Sequence, residues 1–243
     1  MRAYRYLSLL LALRVASVAQ TFVDPPILTT DQQLRQYGLA PDQKSLEEAL
    51  SSSGPQIRIL AAMKLADDKA VTSEPKIEAA LQNEKVPEVT IQLAFALAEL
   101  GNPQGISSLT SMCNAKTQST SIRLGAAQDL LHFGKAVCLS GVLGILNDPK
   151  QDSSTIAQAA YILGKYPEFL KTDQKSLVEP LRTLLNSPDP TVRIAASQAL
   201  ANVGNASLLP ELQAAIVRES DDSVRSQMEA NQRILQRKAL KHQ

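Results

Sequence analysis

Four arginines, Arg58, Arg123, Arg193 and Arg225, share one local setting, each directly after a branched apolar residue. Guanidinium groups stacked along a groove could clamp phosphates or carboxylates, because the planar fork meets such groups bidentately. Thr90 and Ile156 interrupt the column at the equivalent positions, which a continuous anion track would not favour. The competing expectation is structural. Arg193 lies four residues after Asp189, and Arg225 follows Asp221 and Asp222 by four and three, spacings that pair charges at a helix start.

Other reactive side chains are few. Cys113 and Cys138 are the only cysteines, and His132 and His242 the only histidines. Neither histidine has Cys, His or carboxylate neighbours at ligand spacing, so no metal site assembles and no cofactor is implied. Neither cysteine has a nearby histidine to activate it as a nucleophile. No Gly-rich phosphate loop, nucleophile elbow or zincin pattern occurs. Asn205-Ala-Ser207 matches a glycosylation acceptor, but a helix stop explains it as well. No catalytic constellation is visible, so the protein is expected not to be an enzyme.

The elements that carry these residues are copies of one stretch, Leu185 to Asn205, LNSPDPTVRIAASQALANVGN. Asn-Ser-Pro breaks a preceding apolar helix, Asp189 can cap the next, and Pro190 fits its first turn. Val192, Ala195, Ala196, Ala199, Leu200 and Val203 recur at spacings of three and four, one face of a helix, and Gly204-Asn205 supplies the stop. Aligned on Arg193, copies fall at 58, 90, 123, 156 and 225, with steps of 32, 33, 33, 37 and 32 along the column. The long step coincides with an insertion at Tyr166 to Lys171, where a bend or enlarged loop is expected. A helix pair of this size buries too little alone and needs neighbours stacked on it.

First helices are predicted near 45–51, 74–82, 103–113, 136–147, 173–186 and 207–218, and their partners near 55–66, 87–100, 120–133, 153–165, 189–203 and 222–240. No strand-like alternation of useful length appears. The expected fold is all-α: a right-handed α-solenoid of about six helix-pair repeats. Within that frame Cys113 lies ten residues before its anchor and Cys138 eighteen before its own. An eight-residue offset at 1.5 Å per residue separates them by roughly 12 Å along parallel helices, so two buried, unpaired thiols are expected.

The Asp-Pro-x-Val-Arg-x-Ala-Ala-x-x-x-Leu run from Asp189 to Leu200, with its copies over about residues 43 to 238, resembles the HEAT-repeat family, in particular the HEAT-like repeats of phycobilisome lyases. The resemblance implies an α-solenoid, an armadillo/HEAT-like superhelix, and leaves function open among scaffolds, adaptors and a few enzymes. It implies in addition that the arginine column hydrogen-bonds the adjacent turn.

At the N-terminus a basic start, an apolar run from Leu7 to Leu13 and Ser17-Val18-Ala19 follow the three-part pattern of a secretory signal. Residues 1–19 are read as that signal, 20–44 as an extended leader capping the first repeat with one helical turn near Gln32 to Tyr37, and 45–243 as the solenoid. The run is too short to span a membrane, and no cysteine follows the site for lipid attachment. Cleavage near Ala19 and export to periplasm or medium are expected. Removal of Arg2, Arg5 and Arg14 would take the formal charge from +1 to −2, which opposes nucleic-acid binding. The last helix carries acids at its start and Arg233, Arg237, Lys238 and Lys241 near its end, as the helix dipole favours.

The leading expectation is an exported scaffold holding a protein partner on the concave face of the second helices, at Gln92, Glu99, Gln128, Asp129, Gln158, Gln198 and Asn202. A lyase or isomerase, as the bilin-lyase resemblance implies, is the alternative. A nucleic-acid-binding HEAT protein is a third reading, opposed by the charge.

Overall fold

The computed structural model describes residues 28–170, 174–203 and 206–241, so the expected signal segment at 1–19 and the expected leader up to residue 27 lie outside the described residues. α1 (Thr30–Gln36) precedes the pairs α2 (Gln43–Ala49) and α3 (Pro55–Asp67), α4 (Glu74–Asn83) and α5 (Pro87–Leu100), and α6 (Pro103–Asn114) and α7 (Thr120–His132). The series continues with α8 (Leu139–Leu146) and α9 (Ser153–Lys165), α10 (Gln174–Leu184) and α11 (Pro190–Val203), and α12 (Leu209–Arg218) and α13 (Asp222–Lys241). There is no strand among the described residues. The fold is an α-solenoid.

Each first helix packs on its own second helix, and successive second helices α3, α5, α7, α9, α11 and α13 pack on one another as a continuous layer. The apolar stripe read on α11 is the buried one: Val192, Ala196, Ala199 and Leu200 are at most 1% exposed. Small residues set the spacing of that layer. A Cβ on Gly164 of α9 would sit 2.6 Å from the Cα of Ala199 on α11, so only glycine permits this approach. Across α5 and α6, a Cβ on Gly105 would run into the Ala94 carbonyl and the Ala98 backbone nitrogen.

Side-chain caps start many of these helices. Asp42 accepts from the Ser45 N–H, Ser119 from Ile122, Asp152 from Thr155 and Asp189 from Thr191. The stops of α3, α5 and α7 share a left-handed residue at Lys69, Gly101 and Gly134, each followed by the six-to-one hydrogen bond of a Schellman turn. The equivalent position after α9 is Pro167. Proline cannot take positive φ, so the backbone turns instead through a 3-10 helix at Pro167–Leu170, packed against α9 and α11. This is where the insertion in the repeat falls.

Three expectations change. The leader holds a full seven-residue helix, α1, with a capping box between Thr29 and Gln32, and its Leu34 is fully buried beside α3. α2 begins at Gln43, before the boundary expected at residue 45. The cysteines are joined: Cys113 and Cys138 form a disulfide with Cα atoms 6.3 Å apart. The expected separation counted the eight-residue difference in offset from the repeat anchors as helical rise, but Cys138 precedes α8, which begins only at Leu139, and Gly134 (φ 75°) reverses the backbone first. Arg123 lies beside the bridged helices: its Nε donates to the Cys113 carbonyl at 3.2 Å, while a Cβ on Gly141 of α8 would lie 3.9 Å from its Nη2.

Candidate partner-binding face

The arginines are occupied within the fold. Arg58 grips Glu84 with Nε–Oε2 at 2.7 Å and Nη2–Oε1 at 2.9 Å, while its Nη1 donates to the Ser52 carbonyl. Arg193 repeats the arrangement one for one, with Glu219 at 2.6 and 2.9 Å and Nη1 on the Ser187 and Pro188 carbonyls. Its bidentate partner is therefore Glu219 of the following repeat, not Asp189. Arg225 donates to the Glu219 carbonyl and to Asp222. Each guanidinium thus ties the turn before its helix, and in two repeats it clamps the turn beyond.

The clamps explain the carboxylate chemistry. Glu219 titrates below its ordinary value because the Arg193 guanidinium bonds it, burial opposing and the Asp221 N–H assisting. For Glu84, burial pushes upward, but Arg58 and the Val86 and Lys85 N–H groups together hold the carboxyl down.

The open face of the second-helix layer is different in kind. Nine positions beyond the repeat anchor stand Asp67, Glu99, His132, Lys165 and Asn202. Glu99 of this column meets two basic side chains. Lys69 Nζ lies 3.5 Å from Glu99 Oε2, and His132 Nε2 lies 3.1 Å from Glu99 Oε1. The His132 ring stacks on Phe95 at 5.6 Å and meets Phe133 edge-on at 5.0 Å. Partial burial, with Asp68 and Glu99 nearby, raises the Asp67 carboxyl against the pull of Lys64 and Lys69. Further along, Lys165 Nζ lies over the rings of Tyr161 and Tyr166 at 5.9 and 5.5 Å. Lys238 of α13 donates to the Asn202 carbonyl at 2.7 Å.

Residues 139–231 match the family model of HEAT repeats. That stretch of the chain carries HEAT repeats. No curated protein sequence matches the chain. Among solved structures, this chain is similar to the complex of CpcE and CpcF of phycocyanin lyase from Nostoc sp. PCC7120, at 16% identity and a TM-score of 0.41, covering 91% of this chain and 100% of that one. It is similar also to human deoxyhypusine hydroxylase in complex with glycerol, at 14% identity and a TM-score of 0.32, covering 84% and 88%.

All seven candidate partner-binding residues are half-buried side chains on second helices. Gln92 and Gln158 lie two positions past the anchor, Gln128 and Gln198 five, and Glu99 and Asn202 nine, which is one i, i+3, i+7 face. Asp129 lies six past it, one step round the helix. Gln198 and Asn202 share a cavity of about 280 Å³ with Tyr161, Lys165 and Lys238. Sequence reasoning passed over His132, Lys165, Tyr161 and Lys238 as members of this face. The nine-past-anchor column would have found His132 and Lys165, since it places them in line with Glu99 and Asn202. Lys238 had no such signal, because it reaches Asn202 across 36 residues from the terminal helix.

Proposed function

We propose that this HEAT-repeat protein is an exported scaffold or adaptor that holds a protein partner along the open face of its second helices. The observation that carries the reading is the column Asp67, Glu99, His132, Lys165 and Asn202, which passes from acid to base along one continuous layer. A surface with charge of two signs at its two ends gives a bound polypeptide a direction. Phe95 and Tyr161, one helical turn away, add the aromatic area that anchors partners. Export is supported by the signal-like pattern in residues 1–19 and by the buried Cys113–Cys138 disulfide, a bond that persists in oxidising compartments. The mixed sign of the face speaks against nucleic acid. A lyase or isomerase has less to rest on: the histidine of this face is packed against Phe95 and Phe133, with its Nε2 on Glu99.

The test is crosslinking of tagged protein in its own host, followed by mass spectrometry of what is recovered. A mature N-terminus at Gln20 with one stoichiometric protein partner is expected. The combined variant Gln128→Arg, Gln158→Arg and Gln198→Glu should keep its helicity and lose that partner. Undiminished capture by the variant overturns the assignment of the face, and an intact Met1 overturns export.

A further inference from the structure

We propose that the cavity between Lys165 and Lys238 is the seat of a carboxylate from an acidic segment of the partner, borne by a glutamate or aspartate or by the terminal residue. This inference rests on the partner-binding reading and adds the chemistry recognised at one end of the face.

The cavity lies where α9, α11 and α13 converge, lined by Tyr161, Lys165, Pro167, Gln198, Asn202 and Lys238. Among the described residues no acid lines it, whereas two ammonium groups and two side-chain amides do. Among the described residues Lys238 donates only to neutral oxygens, the Asn202 carbonyl at 2.7 Å and Asn202 Oδ1 at 3.5 Å. Lys165 has ring faces for company, not a carboxylate, and among the described residues neither lysine makes an ion pair. Contrast Arg58 and Arg193, whose charges are each met by a glutamate within the fold. Burial alone pulls the Lys238 ammonium below its ordinary value, so the fold bears a desolvation cost there that an incoming anion would relieve.

Size narrows the occupant. At about 280 Å³ the cavity falls just under the roughly 300–1,000 Å³ of small-molecule pockets. It suits one residue of a longer ligand. Gln198 and Asn202 offer amide hydrogens for the same group, and Tyr161, exposed at the rim, offers a flat surface to the stem behind it.

Fluorescence anisotropy with labelled pentaglutamate and pentaglutamine peptides, with inorganic phosphate as competitor, tests this on the full-length protein. Pentaglutamate should bind and pentaglutamine should not. Lys165→Met, at an exposed position, and Lys238→Met should each weaken pentaglutamate at least tenfold, whereas Lys150→Met, at an exposed lysine elsewhere, should not. Equal weakening by all three variants, no binding of pentaglutamate, or stronger competition by phosphate than by unlabelled pentaglutamate each overturns the proposal. Should Lys238→Met lose its helicity, Lys165→Met decides alone. Partner capture that survives Lys165→Met but is lost in the open-face variant would sink this carboxylate seat and leave the scaffold reading standing.

Discussion

Arg193 and Glu219 are 26 residues apart, and two parallel hydrogen bonds of 2.6 and 2.9 Å join them. Arg58 and Glu84 have the same separation and the same geometry. The clamp spans one repeat and ties two successive inter-helix turns. Both Glu219 and Glu84 are almost wholly buried at the side chain, with 3% and 4% exposed. Glu219→Ala strands a buried guanidinium edge and the Asp221 N–H, and should cost about 2–4 kcal/mol in a urea titration.

The same carboxylates set a pH dependence. Glu219 and Glu84 are held below the ordinary value of 4.5 in the folded protein. Their contribution is therefore complete above that value and is lost as pH falls through it toward the lower folded value. The urea midpoint should drop from about pH 5 to about pH 3, and Glu219→Gln should flatten that slope. An unchanged slope in the variant would remove Glu219 from the account.

Reduction should loosen the middle of the stack. The Cys113–Cys138 bridge closes a separation of 25 residues, for which the chain-entropy picture gives about 3 kcal/mol. Native protein should yield no free thiol on titration under denaturing, non-reducing conditions. Dithiothreitol should lower thermal stability and raise amide exchange in α6 and α8 above that in α3 and α11.

Helix spacing rests on two glycines. Gly164→Ala and Gly105→Ala would each push a methyl group into backbone of a neighbouring helix, so losses of about 1–3 kcal/mol or more are expected. At Gly144 an added methyl would meet nothing within 4 Å, so Gly144→Ala should be neutral or gain up to about 1 kcal/mol. Thermal melts of the three variants give the comparison.

Lys69 sits at φ 57° where the equivalent turns use Gly101 and Gly134. Left-handed backbone costs a side-chain-bearing residue about 1 kcal/mol, and the exposed Lys69–Glu99 contact at 3.5 Å returns little. Lys69→Gly should therefore match or exceed the wild type in stability by up to about 1 kcal/mol. A clear loss would mean that the Lys69 ammonium contributes more to the face than its distance implies.

The helices themselves were legible because their signals are local. Pro87, Pro103 and Pro190 open helices where the missing N–H is harmless, and Asp189 caps as its position suggests. The Val192 to Val203 stripe is the buried face because three-and-four spacing leaves no other. Contacts across repeats were another matter. Nothing near Arg193 in the sequence points to Glu219 in preference to Asp189, and nothing near His132 points to Glu99. Those pairs arise from a superhelical register of one repeat, which brings residues 26 or 33 apart into hydrogen-bond range.

By itself, then, the sequence determined the class of fold, the number of repeats and the buried stripe, since periodicity, caps and stops are properties of neighbouring residues. Tertiary structure alone decided the disulfide, the two arginine clamps and the cavity shared by α9, α11 and α13. The cysteine pair makes the physical reason plain: repeat numbering assumes every copy runs in phase, and α8, short and late to start after Gly134, does not.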